Sequence, residues 1–273
     1  MSVVDEAGFA ELARKISEGA GFALGVYKDK CIRRRIAVRM RACGVHTYAA
    51  YQAVLDASPA EYERLRDALT INVTRFYRNA ETWNLLRKTL LPELCDPRRE
   101  EVRVWSAGCS SGEEAYTLAV LFADHYERGG RAEQLRRVAI DATDVDRTSL
   151  DRARAGRYRP ETLAEMPPEL VRAFLDPEDA EYRVSERVRR RVFVRHHDLS
   201  CEPPPRNEYH LILCRNVVIY FDRPMQERLF QSFARALAPG GYLVLGKVET
   251  LFGLARDRLT LIDPRERVYR RPA

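Results

Sequence analysis

The chain has no uninterrupted apolar run of about eighteen residues, so no membrane-spanning helix and no direct membrane insertion is expected. It has no C-x-x-C pair: its six cysteines (Cys31, Cys43, Cys95, Cys109, Cys201, Cys214) are scattered, which argues against a zinc ribbon or a disulfide scaffold. Scattered thiols fit a reducing compartment. The N-terminus, Met-Ser-Val-Val-Asp-Glu, lacks the basic-then-apolar pattern of a secretory leader, so a cytoplasmic location is expected. Neither G-x-x-x-x-G-K-[ST] nor G-x-G-x-x-G occurs, so neither common phosphate-binding glycine template is present. Acidic excess is also missing, since the net charge is +6. A basic balance suits nucleic acid or an acidic protein partner, and charge alone does not choose between them.

Two patterns divide what is there. Residues 5–70 carry helical spacing and almost no strand signal. Phe9, Leu12 and Ile16 make one apolar stripe, and Ile32, Ile36 and Met40 make another. The second stripe lies on a very basic helix, whose Lys30, Arg34 and Arg41 share a different face. Tyr48, Tyr51 and Leu55, then Tyr62, Leu65 and Leu69, predict two shorter helices broken near Ser58-Pro59. From residue 101 strands alternate with helices: strands at 102–107, 138–143, 211–214 and 242–245, helices at 113–126, 148–155 and 224–237, and a turn at Pro239-Gly-Gly241. That alternation predicts a parallel-dominated, doubly wound α/β sheet, with ligands beyond the carboxyl ends of its strands. The expected organisation is a helical domain over 1–75, a linker helix over 76–92 and an α/β domain over 93–273. Residues 180–197 mix valines with arginines, giving either a small inserted β subdomain or an edge guarded by charge.

Residues 104–117, Val-Trp-Ser-Ala-Gly-Cys-Ser-Ser-Gly-Glu-Glu-Ala-Tyr-Thr, join a strand to an amphipathic helix. Gly108 and Gly112 permit a tight turn and close backbone approach. Ser110 with Glu113, or Ser111 with Glu114, has the spacing of a capping box, which would start the helix here. Acids in the first helical turn would repel a phosphate and suit a ligand carrying positive charge.

Three segments belong together: Asn72-Val-Thr-Arg-Phe-Tyr-Arg78, Trp105–Glu114 and Cys214-Arg-Asn-Val-Val-Ile-Tyr-Phe-Asp222. This set closely resembles the CheR family of chemotaxis receptor protein-glutamate O-methyltransferases, over nearly the whole chain. The resemblance implies an all-α N-terminal domain followed by a Rossmann-like S-adenosylmethionine-dependent methyltransferase domain with a small β subdomain. It also implies transfer of a methyl group from S-adenosylmethionine to glutamate carboxylates on receptor helices, with S-adenosylhomocysteine as the other product.

The resemblance further implies roles. Asn72, Thr74 and Arg78 match the family's first cofactor motif, with Arg78 holding the cofactor's carboxylate or the acceptor's. Gly108 lies in the cofactor loop. Glu113 would hold the cofactor's amino group, or simply cap its helix. Asp144 would accept from the ribose hydroxyls, with Asp146 as its competitor. Asp198 and Leu199 match the adenine side, where the family often has asparagine at the first position. Arg215 and Asn216 would face the cofactor and Tyr220 the transferred methyl, whereas Phe221 reads as core. Amino-methylating enzymes typically carry Pro-Pro-Tyr here, and Asn216-Val-Val-Ile-Tyr220 argues against nucleobase methylation, so no nucleic-acid substrate is expected.

A glutamate side chain titrates near ~4.3, so the acceptor is already an anion at neutral pH and no general base is required. His196-His197 fits no metal-ligand template, and no metal is expected. Two features depart from the family. Its catalytic arginine after the first motif has no clear counterpart, the stretch offering Arg87 and Lys88, then Arg98 and Arg99. Members that tether to a receptor's C-terminal pentapeptide carry a glycine-containing loop in the β subdomain. Leu175-Asp-Pro-Glu-Asp-Ala-Glu-Tyr182 contains none, so untethered action on chemoreceptor helices is expected.

Overall fold

The computed structural model describes residues 3–20, 24–69 and 74–273. The chain forms two compact units. One comprises residues 1–71 and the returning segment Tyr220–Gln226; the other comprises Asn72–Ile219 and Glu227–Ala273.

The first unit is helical: α1 (Val3–Ala20), α2 (Asp29–Ala42), α3 (Tyr48–Ala57) and α4 (Pro59–Leu69). Phe9, Leu12, Ile16, Ile32, Ile36, Met40, Tyr51, Leu55, Leu65 and Leu69 are all buried, as their spacing predicts. Thr47 caps α3 by accepting the Ala50 N–H at 3.2 Å. The basic residues of α2 divide by face. Arg33 pairs with Glu6 at 2.6 Å and Arg39 with Glu61 at 2.7 Å. Lys30, Arg34 and Arg41 stay exposed and make no ion pair among the described residues. The returning segment is held by backbone: Lys28 donates to the Tyr220 carbonyl at 2.9 Å, Asp222 donates to the Val26 carbonyl at 2.8 Å, and Tyr27 bridges Phe221.

The second unit begins with a helical run, α5 (Ala80–Leu85), a π turn (Leu86–Leu90) and α6 (Leu91–Leu94). Trp83, Leu86, Leu90, Leu91 and Leu94 bury into the core of this unit, so the run expected as a linker is part of the α/β body. Strands β1 (Val102–Ala107) and β2 (Val138–Asp144) follow, with α7 (Glu113–Arg128) between them and α8 (Arg147–Ala155) after them. A short strand β3 (Arg157–Tyr158), α9 (Pro168–Phe174), β4 (Leu175–Glu178), β5 (Glu181–Val184) and α10 (Glu186–Arg189) lead to β6 (Val192–His196). Then come β7 (Tyr209–Cys214), α11 (Arg223–Ala236), β8 (Leu237–Leu245), β9 (Thr260–Asp263) and β10 (Val268–Arg270).

The main sheet has the order β6-β2-β1-β7-β8-β10-β9, parallel from β6 to β8, with β10 and β9 antiparallel at one edge. The interior strands are buried on both faces, hence the unbroken apolar run Leu211-Ile-Leu-Cys214. Two expectations are corrected. Residues 180–197 are not one inserted subdomain: β3, β5 and β4 form a separate three-stranded sheet, whereas β6 pairs with β2, Asp144 beside His196. The valines of 192–194 alternate with Phe193 and Arg195 because β6 is the charged edge of the main sheet. Pro239-Gly-Gly241 is not a separate turn but the irregular start of β8, where the pairing with β7 shifts register between Tyr209 and Leu211.

Candidate functional site

The carboxyl ends of β6, β2, β1, β7 and β8 deliver Asp198, Asp144, Gly108, Arg215 and Glu249 to one edge of the sheet. Backbone bonds sew these ends together. Gly108 and Cys109 both donate to the Thr143 carbonyl, at 2.8 and 2.9 Å, and His197 donates to the Asp144 carbonyl at 3.0 Å.

The glycine loop departs from the expected capping box. Gly112 precedes α7 at φ +96° and no side chain caps the helix. The Ser110 N–H instead reaches the Asp144 carboxylate at 2.8 Å, and the Ser111 hydroxyl donates to Glu113 at 2.8–2.9 Å. Gly108 needs to be glycine twice over: φ is +81°, and a Cβ there would lie 2.4 Å from Val217, next to Asn216.

Of the two acids after β2, Asp146 is the helix cap. It is buried and accepts from the Thr148 N–H at 3.1 Å and the Ser149 hydroxyl at 2.7 Å. Asp144 is half-buried at the strand end, and its Oδ1 accepts the Asp146 N–H at 2.9 Å. Burial pushes the Asp144 carboxyl up from its usual range, opposed by the backbone N–H groups it accepts from. Glu113 is buried and raised for the same first cause, with hydrogen bonds from Ser111 and Thr74 working against it. Thr74 thus meets the start of α7. The following residues stay on that helix: the Tyr77 N–H donates to the Thr117 hydroxyl at 3.2 Å, which donates to the Glu113 carbonyl.

Arg215 is the charged centre of the group. Its Nη2 donates to the Arg78 carbonyl at 2.8 Å and to the Asn79 side chain at 3.0 Å, and its Nη1 meets Glu114 at 3.4 Å. Its guanidinium lies 5.1 Å from the Trp83 ring centre. Its Nε is buried with no hydrogen-bond partner among the described residues. Burial lowers the Arg215 pKa, and Glu114 opposes that shift. Asn216 is left-handed at φ +61°, with its N–H held by Glu249 at 3.0 Å. Asp198 is buried and folds its own loop, accepting the Ser200 N–H at 2.7 Å; Leu199 beside it is half-buried.

Thr74, Arg78, Gly108, Glu113, Asp144, Arg215 and Asn216 are therefore joined by hydrogen bonds and close packing, with Asp198 and Leu199 on the adjacent strand end. Asn72 lies outside the described residues. Tyr220 is counted with the helical unit, where Arg35 lies 5.3 Å from its ring centre. The arginines considered after the first motif are elsewhere. Arg98 and Arg99 precede β1 and so sit at the amino end of the sheet. Arg87 pairs with Asp124 at 3.0 Å, eleven residues along α7 from Glu113, which is about 16 Å of helix.

Two acids escaped sequence reading as site residues. Glu114 is held by the Ser106 hydroxyl at 2.8 Å and by Arg215. Glu249 is buried and accepts the N–H groups of Gly246, Asn216 and Ile219 at 2.6–3.2 Å, fixing the loop after β7. The one signal for Glu249 is an acid four residues beyond an all-apolar strand. A Cβ on Gly246 would lie 2.8 Å from the Asn216 nitrogen, so the two loops touch through backbone.

This donor set fits S-adenosylmethionine: a carboxylate at the end of β2 for hydroxyls and one at the start of α7 for an ammonium, a buried cation with an unused N–H, and a glycine turn that admits close approach. Comparison with known proteins agrees. Residues 72–267 match the CheR methyltransferase SAM binding domain, and residues 7–70 match the CheR methyltransferase all-alpha domain. A chemotaxis protein methyltransferase of Klebsiella aerogenes is 34% identical over 262 residues, covering 93% of this chain and 87% of that one. One from Listeria monocytogenes is 32% identical, covering 94% and 95%. An uncharacterised 104.1 kDa protein of Rhodobacter capsulatus is 35% identical over 89% of this chain but only 25% of its own length. The chain belongs to the CheR family of S-adenosylmethionine-dependent methyltransferases.

Proposed function

We propose that this chain esterifies glutamate side chains on the cytoplasmic helices of chemoreceptors, as the adaptation step of a chemotaxis-like pathway. The observation that carries this reading is the convergence of the 74–78 segment, the glycine loop and Arg215-Asn216 at one end of the sheet. S-adenosylmethionine, when bound, supplies an electrophilic methyl on a sulfonium. Asp144 accepts from its ribose, Glu113 (with Thr74 behind it) holds its ammonium, and Arg78 and Arg215 hold its carboxylate. Gly108 and Asn216 would complete the backbone cradle, and Asp198 and Leu199 would take the adenine. The acceptor arrives ionised, so the protein's contribution is alignment of oxygen, carbon and sulfur and exclusion of water.

The acidic receptor helix is taken to meet Lys30, Arg34 and Arg41, the cations of α2 that the helical unit leaves exposed. Reversing Arg34 and Arg41 to Glu should raise the receptor KM and weaken its salt dependence without moving cofactor affinity; unchanged kinetics would reduce this face to a solvated one. A receptor pentapeptide tether is not needed in this reading. The outer edge of the small sheet is β4, which carries Pro177 and so lacks a donor there, and the opposite edge β3 spans two residues. Titration with receptor-tail peptides should show no saturable binding.

The deciding experiment incubates the chain with labelled S-adenosylmethionine and receptor cytoplasmic fragments, with RNA and DNA as alternatives. The expected product is alkali-labile label on receptor glutamates, located by mass spectrometry. Label on nucleic acid, or none on any receptor tested, would overturn the reading.

A further inference from the structure

Several cations that the cofactor site does not use surround one concavity on the α/β unit. Arg87, Lys88, Arg128 and Arg131 line a cavity of about 540 Å3, with Leu91 and Leu121 among its apolar walls. Asp124 is the one carboxylate in the lining, and it answers two of the four cations: Arg87 through Nη2 at 3.0 Å and Arg128 through Nε at 2.8 Å. Each guanidinium keeps further N–H groups for another acceptor. Arg131 is braced by the Cys95 carbonyl at 3.4 Å and lies 5.7 Å from the Tyr126 ring centre. Lys88 is exposed and has no ion pair among the described residues.

Four cations against one carboxylate leave an excess of positive charge on a concave surface. A structural ion-pair network would be closer to balance. The volume falls in the range of small-molecule sites, about 300–1,000 Å3. Forked guanidiniums match phosphate oxygens in pairs, and a lysine on a flexible stem adds a movable point charge. The apolar walls suit a carbon skeleton or base attached to the anion.

We propose that this cavity binds a small molecule carrying two or more linked phosphates, at a site separate from the methyl-transfer centre. Four cations clustered around one concavity of this size favour a compact polyanion over an extended acidic protein segment, whose charges are spread along a chain.

The test is isothermal titration of the full chain with tripolyphosphate and, separately, ATP, at low ionic strength. The expected result is saturable 1:1 binding that weakens steeply with added salt. The pair Lys88→Glu and Arg128→Glu should weaken it at least tenfold, and Lys88→Glu alone, on an exposed side chain, should lower it in the same direction. Saturating S-adenosylhomocysteine should leave it unchanged. Tighter binding of ATP than of tripolyphosphate would add the apolar walls to the site, and equal binding would confine recognition to the phosphates; both support it. No saturation up to millimolar ligand, binding indifferent to both variants, or displacement by S-adenosylhomocysteine would overturn the proposal.

Discussion

Each unit holds a largely buried Glu–Arg pair, and the two are finished differently. In the helical unit Glu61 accepts from Arg39 Nε and Nη2, at 2.9 and 2.7 Å, and from the Tyr51 hydroxyl at 2.8 Å. In the α/β unit Glu114 meets Arg215 through a single contact at 3.4 Å, and the Arg215 Nε has no partner among the described residues. The first pair is closed: forked geometry and a third donor offset the desolvation of the carboxylate. The second is open, and its spare N–H has meaning only if another acceptor arrives. Burial of an ion pair therefore says little about function; the state of its remaining donors says more.

The comparison breaks most visibly at the closed pair. Arg39→Met leaves Glu61 buried without its cation and should cost about 3–5 kcal/mol of stability, read by urea denaturation. S-adenosylhomocysteine affinity at a temperature where the variant is folded should stay unchanged. A stability loss near zero would mean that Glu61 takes up a proton or water at little cost and that the pair is not closed.

At the open pair the effect moves to the ligand. Arg215→Lys keeps the charge but loses the fork, and should weaken S-adenosylhomocysteine by about 1.5–3 kcal/mol. Asp144→Ala should lose a similar amount in the same titration. Retained affinity in either folded variant would make that residue as structural as Arg39. Asp146→Ala supplies the contrast: its carboxylate is engaged in capping α8, so about 1 kcal/mol of stability should go while affinity holds.

Acidity sharpens the contrast by the smallest amount. Burial alone would raise the Glu61 pKa, but hydrogen bonds from Arg39 and Tyr51 outweigh it and hold the group below its usual range. Its contribution is therefore present above the unfolded value and lost as pH falls through the folded one. Asp144 and Glu113 are raised by burial, so their ionisation opposes folding at neutral pH and that penalty eases as pH falls. Between about pH 7 and pH 4, stability of Asp144→Asn should fall more steeply with acid than that of the parent. Parallel curves would show that Asp144 carries no such penalty in the folded chain.

Much of this was legible in the sequence, because periodicity reports burial. The stripe of α2, the alternation of strands and helices, and the strand ends at Gly108, Asp144 and Arg215 all follow from spacing. What sequence missed depends on pairing across the fold. Nothing local distinguishes β6, the edge of the main sheet, from β5 in the small one. Pro239-Gly-Gly241 carries turn chemistry but is recruited into β8 by β7. Glu114 reads as half of a capping box until Ser106 and Arg215 claim it, and Glu249 is identified only by the N–H groups that close on it. Arg87 lies near the first motif in sequence, yet its partner Asp124 stands three helical turns from Glu113.

The bridge from Tyr27 to Phe221 makes the helical unit discontinuous along the chain. During synthesis the helices of this unit leave the ribosome first, but the segment that pairs with Tyr27 follows almost two hundred residues after it. At about 5–20 residues per second that is a wait of roughly 10–40 s. Over that interval Tyr27 lacks its partner backbone, and a fragment ending at residue 71 would lack it permanently. Truncations meant to isolate the helices should therefore carry Tyr220–Gln226 as a grafted segment.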